Sequence, residues 1–282
     1  MDIFGSQEIR EYRGVKGLVA AKVLTDNDTD GYTTDTPFLV AAVAEISKSR
    51  DTSSEAHYYN NIPAVVISSD APDTVTISAS KIPLEAYAKI TSQMYDTTTG
   101  TLIEGERGND DFAIGYITED TKGALHYIWR LKGKFNTPGQ TNSTKNNGTD
   151  ANGQEIVYTG VNTTAAFTKT GKGAMAVNVE AEKDLVDLTH FFDSVQTPDT
   201  ITPKTPYTVT ITQGTGTTGF VVKDGSMIAS GATVHAGDVI SVNSNGSVAT
   251  VTQTGSGAST SFNGVRDFTV ANNVQVSFTP AE

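Results

Sequence analysis

The residues best placed to do chemistry in this chain are three acids at alternate positions, Asp26, Asp28 and Asp30, followed by Gly31. They reproduce positions one, three, five and six of a calcium loop, where carboxylate oxygens converge on the cation and glycine permits a sharp bend. The pattern then departs from that chemistry. The twelfth position is Pro37 instead of glutamate, Asp35 is available as a substitute ligand, and no helical pattern flanks the loop. A solvated acidic turn is the plainer reading.

Gly214, Gly216 and Gly219 have the spacing of a dinucleotide-binding turn, but the next residues, Phe220, Val221 and Val222, lead into a strand. The pyrophosphate in that motif sits on a helix N-terminus, so a flexible hairpin turn fits better. The four histidines, His57, His126, His190 and His235, are isolated, and no serine stands in a GxSxG elbow. With zero cysteines, thiolate metal sites, thiol nucleophiles and disulfides are excluded. We expect no catalysis, no cofactor and no bound metal.

A third set is basic. In residues 111–135, DFAIGYITEDTKGALHYIWRLKGKF, the second half alternates: Tyr127, Trp129, Leu131 and Phe135, with Gly133 among them, fall on one face. His126, Ile128, Arg130, Lys132 and Lys134 fall on the other. The preceding run puts Phe112, Ile114 and Tyr116 on one face, and the polar residues 119–123 turn the two runs into a hairpin. Arg130, Lys132 and Lys134 then form a ladder with three readings. A solvated strand face is the default, pairing with carboxylates of another copy comes next, and contact with DNA comes last.

The charge balance explains that order. The net charge is −12, which would repel a phosphate backbone. Residues 207–282 carry two cations against four acids, a balance of −2, which leaves −10 for the chain before them. Such a surface suits a wall past which DNA must slide without adhering.

The elements that must position these groups are mostly strands. Residues 14–25 and 38–49 read as strands, and residues 73–80 alternate Val75 and Ile77 with Thr74, Thr76 and Ser78. Residues 83–94 change period: Pro83 suits a first turn, and Leu84, Tyr87, Ala88 and Thr91 predict a short helix. Residues 154–168 and 174–180 resume β patterning, and Leu185, Leu188, Phe192 and Val195 predict a helix over 182–195. The polar tract 136–153 reads as a long loop.

At 282 residues, two domains are expected. We place a first domain at 1–196, a stiff, extended Pro/Thr linker at 197–206 (TPDTITPKTP), and a small immunoglobulin-like sandwich at 207–282. No run of about 18 apolar residues exists, and MDIFGSQEIREY lacks the basic-then-apolar order of a secretory signal, so no membrane role is expected.

Four segments, in order, carry a resemblance: residues 14–18 (GVKGL), 82–90 (IPLEAYAKI), 129–135 (WRLKGKF) after its hairpin, and 191–195 (FFDSV). Over roughly residues 13–196 the chain resembles the major tail proteins of long-tailed, non-contractile bacteriophages, the siphophages. The resemblance implies a mainly β fold, a tail-tube-type β-sandwich or barrel with flanking short helices, here followed by the C-terminal immunoglobulin-like sandwich. It also implies hexameric rings that stack around a tape-measure protein, contacts with other tail proteins, and double-stranded DNA as passing cargo. The protein would belong to the virion tail, assembled in the host cytoplasm, and its C-terminal domain would project outward toward host-surface glycans. Under that resemblance Arg130, Lys132 and Lys134 become a subunit interface, and residues 136–153 or 50–61 would order on the next ring. The competing reading is a soluble or surface-displayed binding protein that acts through its C-terminal module on a glycan or protein ligand.

Overall fold

Two neighbouring strands of 17 and 18 residues dominate the computed structural model, which describes residues 9–59, 62–142, 152–255 and 258–281. The chain divides into two compact units, Met1–Thr202 and Pro203–Glu282. The first contains β1 (Tyr12–Asn27), β2 (Gly31–Thr34), β3 (Phe38–Leu39), β4 (Val43–Tyr59), β5 (Ile62–Ala79) and helix α1 (Leu84–Thr91). It continues through β6 (Met94–Asp96), β7 (Thr101–Ile103), β8 (Phe112–Asp120), β9 (Leu125–Phe135), β10 (Gly139–Gln140), β11 (Gln154–Gly160) and β12 (Ala176–Glu180). The fold is mainly β, as expected, and among the described residues no sheet closes into a barrel.

The main sheet runs β2-β1-β8-β9-β11-β5-β4, with β12 beside the first half of β9 and β10 beside β11. Leu18 and Ala20 of β1 share one core with Val75 and Ile77 of β5, four places along the sheet, so the sheet curls strongly. Residues 38–43 bridge the gap. Phe38 and Leu39 pair with β1, Val40 N–H donates to Leu18 O, and Val43 begins the pairing with β5. The single strand expected over 38–49 is therefore broken at 40–42, because this stretch must reach two different strands.

Strands β4 and β5 form one hairpin. β11 pairs with β5 only from Ala79 to Asp73; from Thr52↔Asp70 to Tyr59↔Ile62 the hairpin pairs with itself. That distal part is an arm of roughly 25 Å at ~3.3 Å per residue. Pro72 lies at the change, where the register shifts between Arg50 and Thr52. Proline has no N–H to give the ladder, which accounts for a bulge there.

Helix α1 starts after Pro83 and stops at Ser92, which adopts a left-handed φ of 55°. It buries Ala86, Ala88, Ile90 and Thr91 and packs Tyr87 on the core, which follows the expected stripe and its adjoining Ile90 except at Leu84, 46% exposed. The helix expected over 182–195 is corrected to a three-residue 3-10 turn, Ala181–Lys183, followed by irregular turns. Asp184 is left-handed, the Asp187 carboxylate accepts from Thr189 N–H, and the Trp129 indole N–H claims the Phe191 carbonyl. These bonds replace the helical ladder, and Phe191, Phe192 and Val195 instead cover Trp129 and Leu131 in a second core on the other face of the sheet.

The expected extended linker is also corrected. Thr197 is buried, Ile201 N–H returns to Thr197 O, and the Asp199 carboxylate accepts from Thr168 and Lys169 N–H at 2.8 Å each. Ile201 packs on the second core, so the tract folds onto the first unit as far as Thr202. Of the polar tract 136–153, residues 143–151 lie outside the described residues.

The second unit contains β13 (Pro206–Gln213), β14 (Phe220–Lys223), β15 (Ser226–Ile228), β16 (Ala232–His235) and β17 (Val239–Asn243), then β18 (Ser247–Gln253), β19 (Ser259–Phe262), β20 (Val265–Thr269) and β21 (Val274–Pro280). Sheets β16-β13-β21-β18-β19 and β15-β14-β17-β20 enclose one core that includes Val209, Val242, Val276 and Phe278. The two layers form a β-sandwich in which β14 and β15 stay together in one sheet and β13 runs parallel to β21. Residues 214–219 are a crossover between sheets instead of a hairpin turn. Gly216 has φ 78°, and a Cβ on Gly219 would lie 2.1 Å from the Phe278 ring.

Candidate functional site

Strand β9 carries the three basic residues, and its register decides where they point. Ile114 of β8 pairs with Arg130 but Phe112 pairs with Gly133, so β9 holds one extra residue between those pairs. This bulge reverses the alternation. Tyr127, Trp129 and Leu131 face the second core, whereas Phe135, beyond the bulge, joins the first core with Phe112 and Tyr158. Gly133 is required at the crossing, because a Cβ there would meet Thr159 O and the Tyr158 ring at 2.4 Å. The expected single aromatic face is thus two half-faces.

The basic ladder divides at the same point. Arg130, whose side chain is 5% exposed, donates to the Asp73 carboxylate through Nη1 and to the Tyr116 hydroxyl through Nε at 3.2 Å. Arg50 Nε donates to the other Asp73 oxygen at 2.5 Å. Burial opposes ionisation of Asp73, but the Arg50 hydrogen bond and the charges of Arg130, Arg50 and Lys48 outweigh it and hold the carboxyl below its usual range. Beyond the bulge, Lys132 Nζ pairs with Asp26 at 2.5 Å, and Lys134 Nζ pairs with Asp111 at 2.9 Å and donates to Asn109 O at 2.8 Å. Arg130, Lys132 and Lys134 therefore each meet a carboxylate of their own chain, where the plainest sequence reading had a solvated strand face. Reversing the charge of Arg130 would disturb folding before it disturbed association.

Asp26 is equally committed. Its carboxylate accepts from Lys132 and from the backbone N–H groups of Thr164 and Ala165 at 2.9 and 2.8 Å. Burial again works against ionisation, and these three donors with the Lys132 charge outweigh it, so its pKa lies below the ordinary value. A cation at the first position of the acidic loop would have to displace Lys132. Asp28 and Asp30 sit at the exposed tip of the β1–β2 hairpin, where the Asn27 side chain accepts from Thr29 and Asp30 N–H.

The histidines occupy separate elements. His57 lies on β4, His126 stacks edge-on with Tyr12, His190 pairs with Asp193 at 2.6 Å, and His235 ends β16 in the second unit. The sequence reading missed Asp73 altogether, and it singled out Asp26 as a calcium-loop position without foreseeing its pairing with Lys132. The signal was present at Asp73, a lone acid leading the alternating strand that ends at Ala79.

What the first unit presents outward is unpaired backbone. Among the described residues, β4 has no partner on the side away from β5, and β12 has none on the side away from β9. Strand edges of this kind are templates for pairing with another chain. No helix of the described residues is long and apolar enough to cross a membrane. The chain matches no protein-family model and no curated protein sequence.

Proposed function

We propose that this chain is a structural virion protein that self-assembles into stacked hexameric rings forming the tail tube of a long-tailed bacteriophage, the conduit through which the genome passes. The observation that carries this reading is the open, curled sheet of the first unit, with a 17-residue strand, β4, at its edge and a self-paired arm at the end of its long hairpin. Subunits arranged head to tail satisfy such edges around a closed ring, and the arm suits contact with a further copy. A chain of net charge −12 also suits a wall that lets DNA slide. The tape-measure protein and other tail proteins would be its partners, DNA its unbound cargo, and the virion tail its location, with no catalytic role.

Purified full-length protein is expected to form rings or tubes in negative-stain micrographs, and a shortened chain ending near Lys204 is expected to do the same. Strictly monomeric behaviour at high concentration would count against the conduit. One observation favours the second reading, a binding protein acting through residues 203–282. The outer face of its five-stranded sheet aligns Thr210, Gln275, Thr252 and Ser259 in one row and Thr212, Ser277, Thr250 and Ser261 in the next. Uncharged hydroxyl and amide rows suit weak contact with glycans, and saturable glycan binding by a protein that never assembles would favour this reading.

A further inference from the structure

A hollow of about 690 Å³ opens between β1, β4, β8 and β9 in the first unit. Its lining is unusual for this acidic chain: Arg13, Lys48 and Arg130 face a single carboxylate, Glu45. Arg130 is matched by Asp73. Arg13 and Lys48 are exposed, and neither makes an ion pair or hydrogen bond with another described residue. Thr118 also lines the hollow, and its buried Oγ1 has no hydrogen-bond partner among the described residues. Lys48 adds to the field that keeps Asp73 ionised, but neither it nor Arg13 is in an ion pair, and two such exposed cations favour an anionic group.

The complementary charge lies at the far end of the same strand. Arg13 stands near the start of β1, and Asp28 and Asp30 stand on the turn just after its end. Both acids are exposed and neither forms an ion pair among the described residues. Their turn is held in shape by the Asn27 side chain and by Gly31 at φ 77°. Sixteen residues of strand span roughly 50 Å at ~3.3 Å per residue, so a chain's own tip is far from its own hollow.

We propose that the hollow receives the acidic β1–β2 hairpin tip of a second copy, with Asp28 and Asp30 meeting Lys48 and Arg13. Two different patches at opposite ends of one strand make a heterologous, head-to-tail contact, the kind that closes rings or extends filaments. The proposal rests on the assembly reading above and assigns one of its interfaces. The preshaped tip loses little conformational freedom on entry, and charge complementarity fixes its register.

A charge swap in the full chain tests it. Arg13→Glu with Lys48→Glu should raise the concentration needed for assembly at least 10-fold, as should Asp28→Lys with Asp30→Lys. Combining all four substitutions should restore assembly to within about threefold of the unaltered chain. Unchanged assembly after either reversal, or failure of the combination to restore it, overturns the proposal. Saturable binding of duplex DNA that is lost in Lys48→Glu would assign the hollow to phosphate and overturn it equally. The chain has no cysteine, which gives a clean second readout. Under oxidation, a mixture of Asp28→Cys and Lys48→Cys chains should yield a cross-linked dimer, and a mixture of Asp28→Cys and Ser261→Cys chains should not. Rings without the cross-link or the rescue would leave the tube reading standing and end this one. The cross-link without rings would do the reverse.

Discussion

The two units manage their sheet edges in opposite ways. In the second, the four edge strands, β16, β19, β15 and β20, are 4, 4, 3 and 5 residues long, short enough to offer a neighbour little to pair with. In the first, β4 runs for 17 residues at the sheet edge. Their charges differ as well. The first unit places Asp73, Arg130 and Asp26 almost entirely out of solvent; among the described residues the second buries a single carboxylate, Asp238, beside Lys223, and the outer face of its larger sheet is threonine, serine and glutamine. Among the described residues, the second unit has only short edges and the first has one long edge without a partner strand. This contrast is what ties the association reading to the first unit.

The largest expected effect attacks the edge directly. Ser47 and Ser49 are exposed on β4, and lysine on an edge strand repels a second chain that approaches to pair. Ser47→Lys with Ser49→Lys should abolish ring or tube formation in micrographs while changing the unfolding free energy by less than about 0.5 kcal/mol. The same pair of changes on the second unit's β19, Ser259→Lys with Ser261→Lys, should leave assembly intact. Equal loss in both would erase the distinction between the units.

Next comes the buried charge. Asp73→Asn leaves Arg130 without its carboxylate in a site it cannot leave, which should cost the first unit about 3–5 kcal/mol. The sole tryptophan, Trp129, belongs to this unit, so its fluorescence during urea unfolding reports the loss without interference from the other. The same probe carries a pH test. Asp26 and Asp73 have folded-state pKa values below the unfolded value of about 3.9, so their stabilisation is complete well above that value. It is lost as pH falls through the folded values. The Trp129 midpoint should hold from pH 7 to about 5 and fall below about pH 4, less steeply in Asp73→Asn. A midpoint indifferent to acid would mean that these carboxylates do not hold the unit together.

How far the sequence could be read follows the same division between local and distant causes. Alternation found strands such as Val75–Ile77 and the β8–β9 hairpin, and Pro83 marked the start of α1, because each is set by neighbours in the chain. Three features set by distant groups were misread. Gly133 lies beyond a bulge that alternation does not reveal, and it lacks a Cβ because Thr159 O and the Tyr158 ring lie against it. The stripe of Leu185, Leu188, Phe192 and Val195 looks helical, yet Trp129 takes the Phe191 carbonyl. Arg130, Lys132 and Lys134 look like a ladder seeking an outside partner, yet Asp73 and Asp26, 57 and 106 residues away, already face the first two.

A smaller effect separates the units by packing. Gly219→Ala drives a methyl group into the Phe278 ring, and overpacking of this kind costs about 1–3 kcal/mol. Calorimetry should show the second unit's transition moving down while the Trp129 transition stays in place. A coupled shift of both would show that the units do not unfold independently.

The smallest effect tests whether burial, and not charge alone, makes the first unit's ion pairs matter. Lys134 and Asp111 pair at 2.9 Å, but their side chains are 46% and 28% exposed. Water screens such a pair, and the lysine loses rotamer freedom to form it, so Lys134→Ala should cost about 0.5 kcal/mol or less and less still in high salt. Arg130 lies only four residues earlier on the same strand, with a 5% exposed side chain, and the loss of its partner is expected to cost several times more. The bulge between them sends the two cations to opposite faces of the sheet. A Lys134→Ala cost above about 2 kcal/mol would show that the strand needs its whole basic set for stability, exposed pair included.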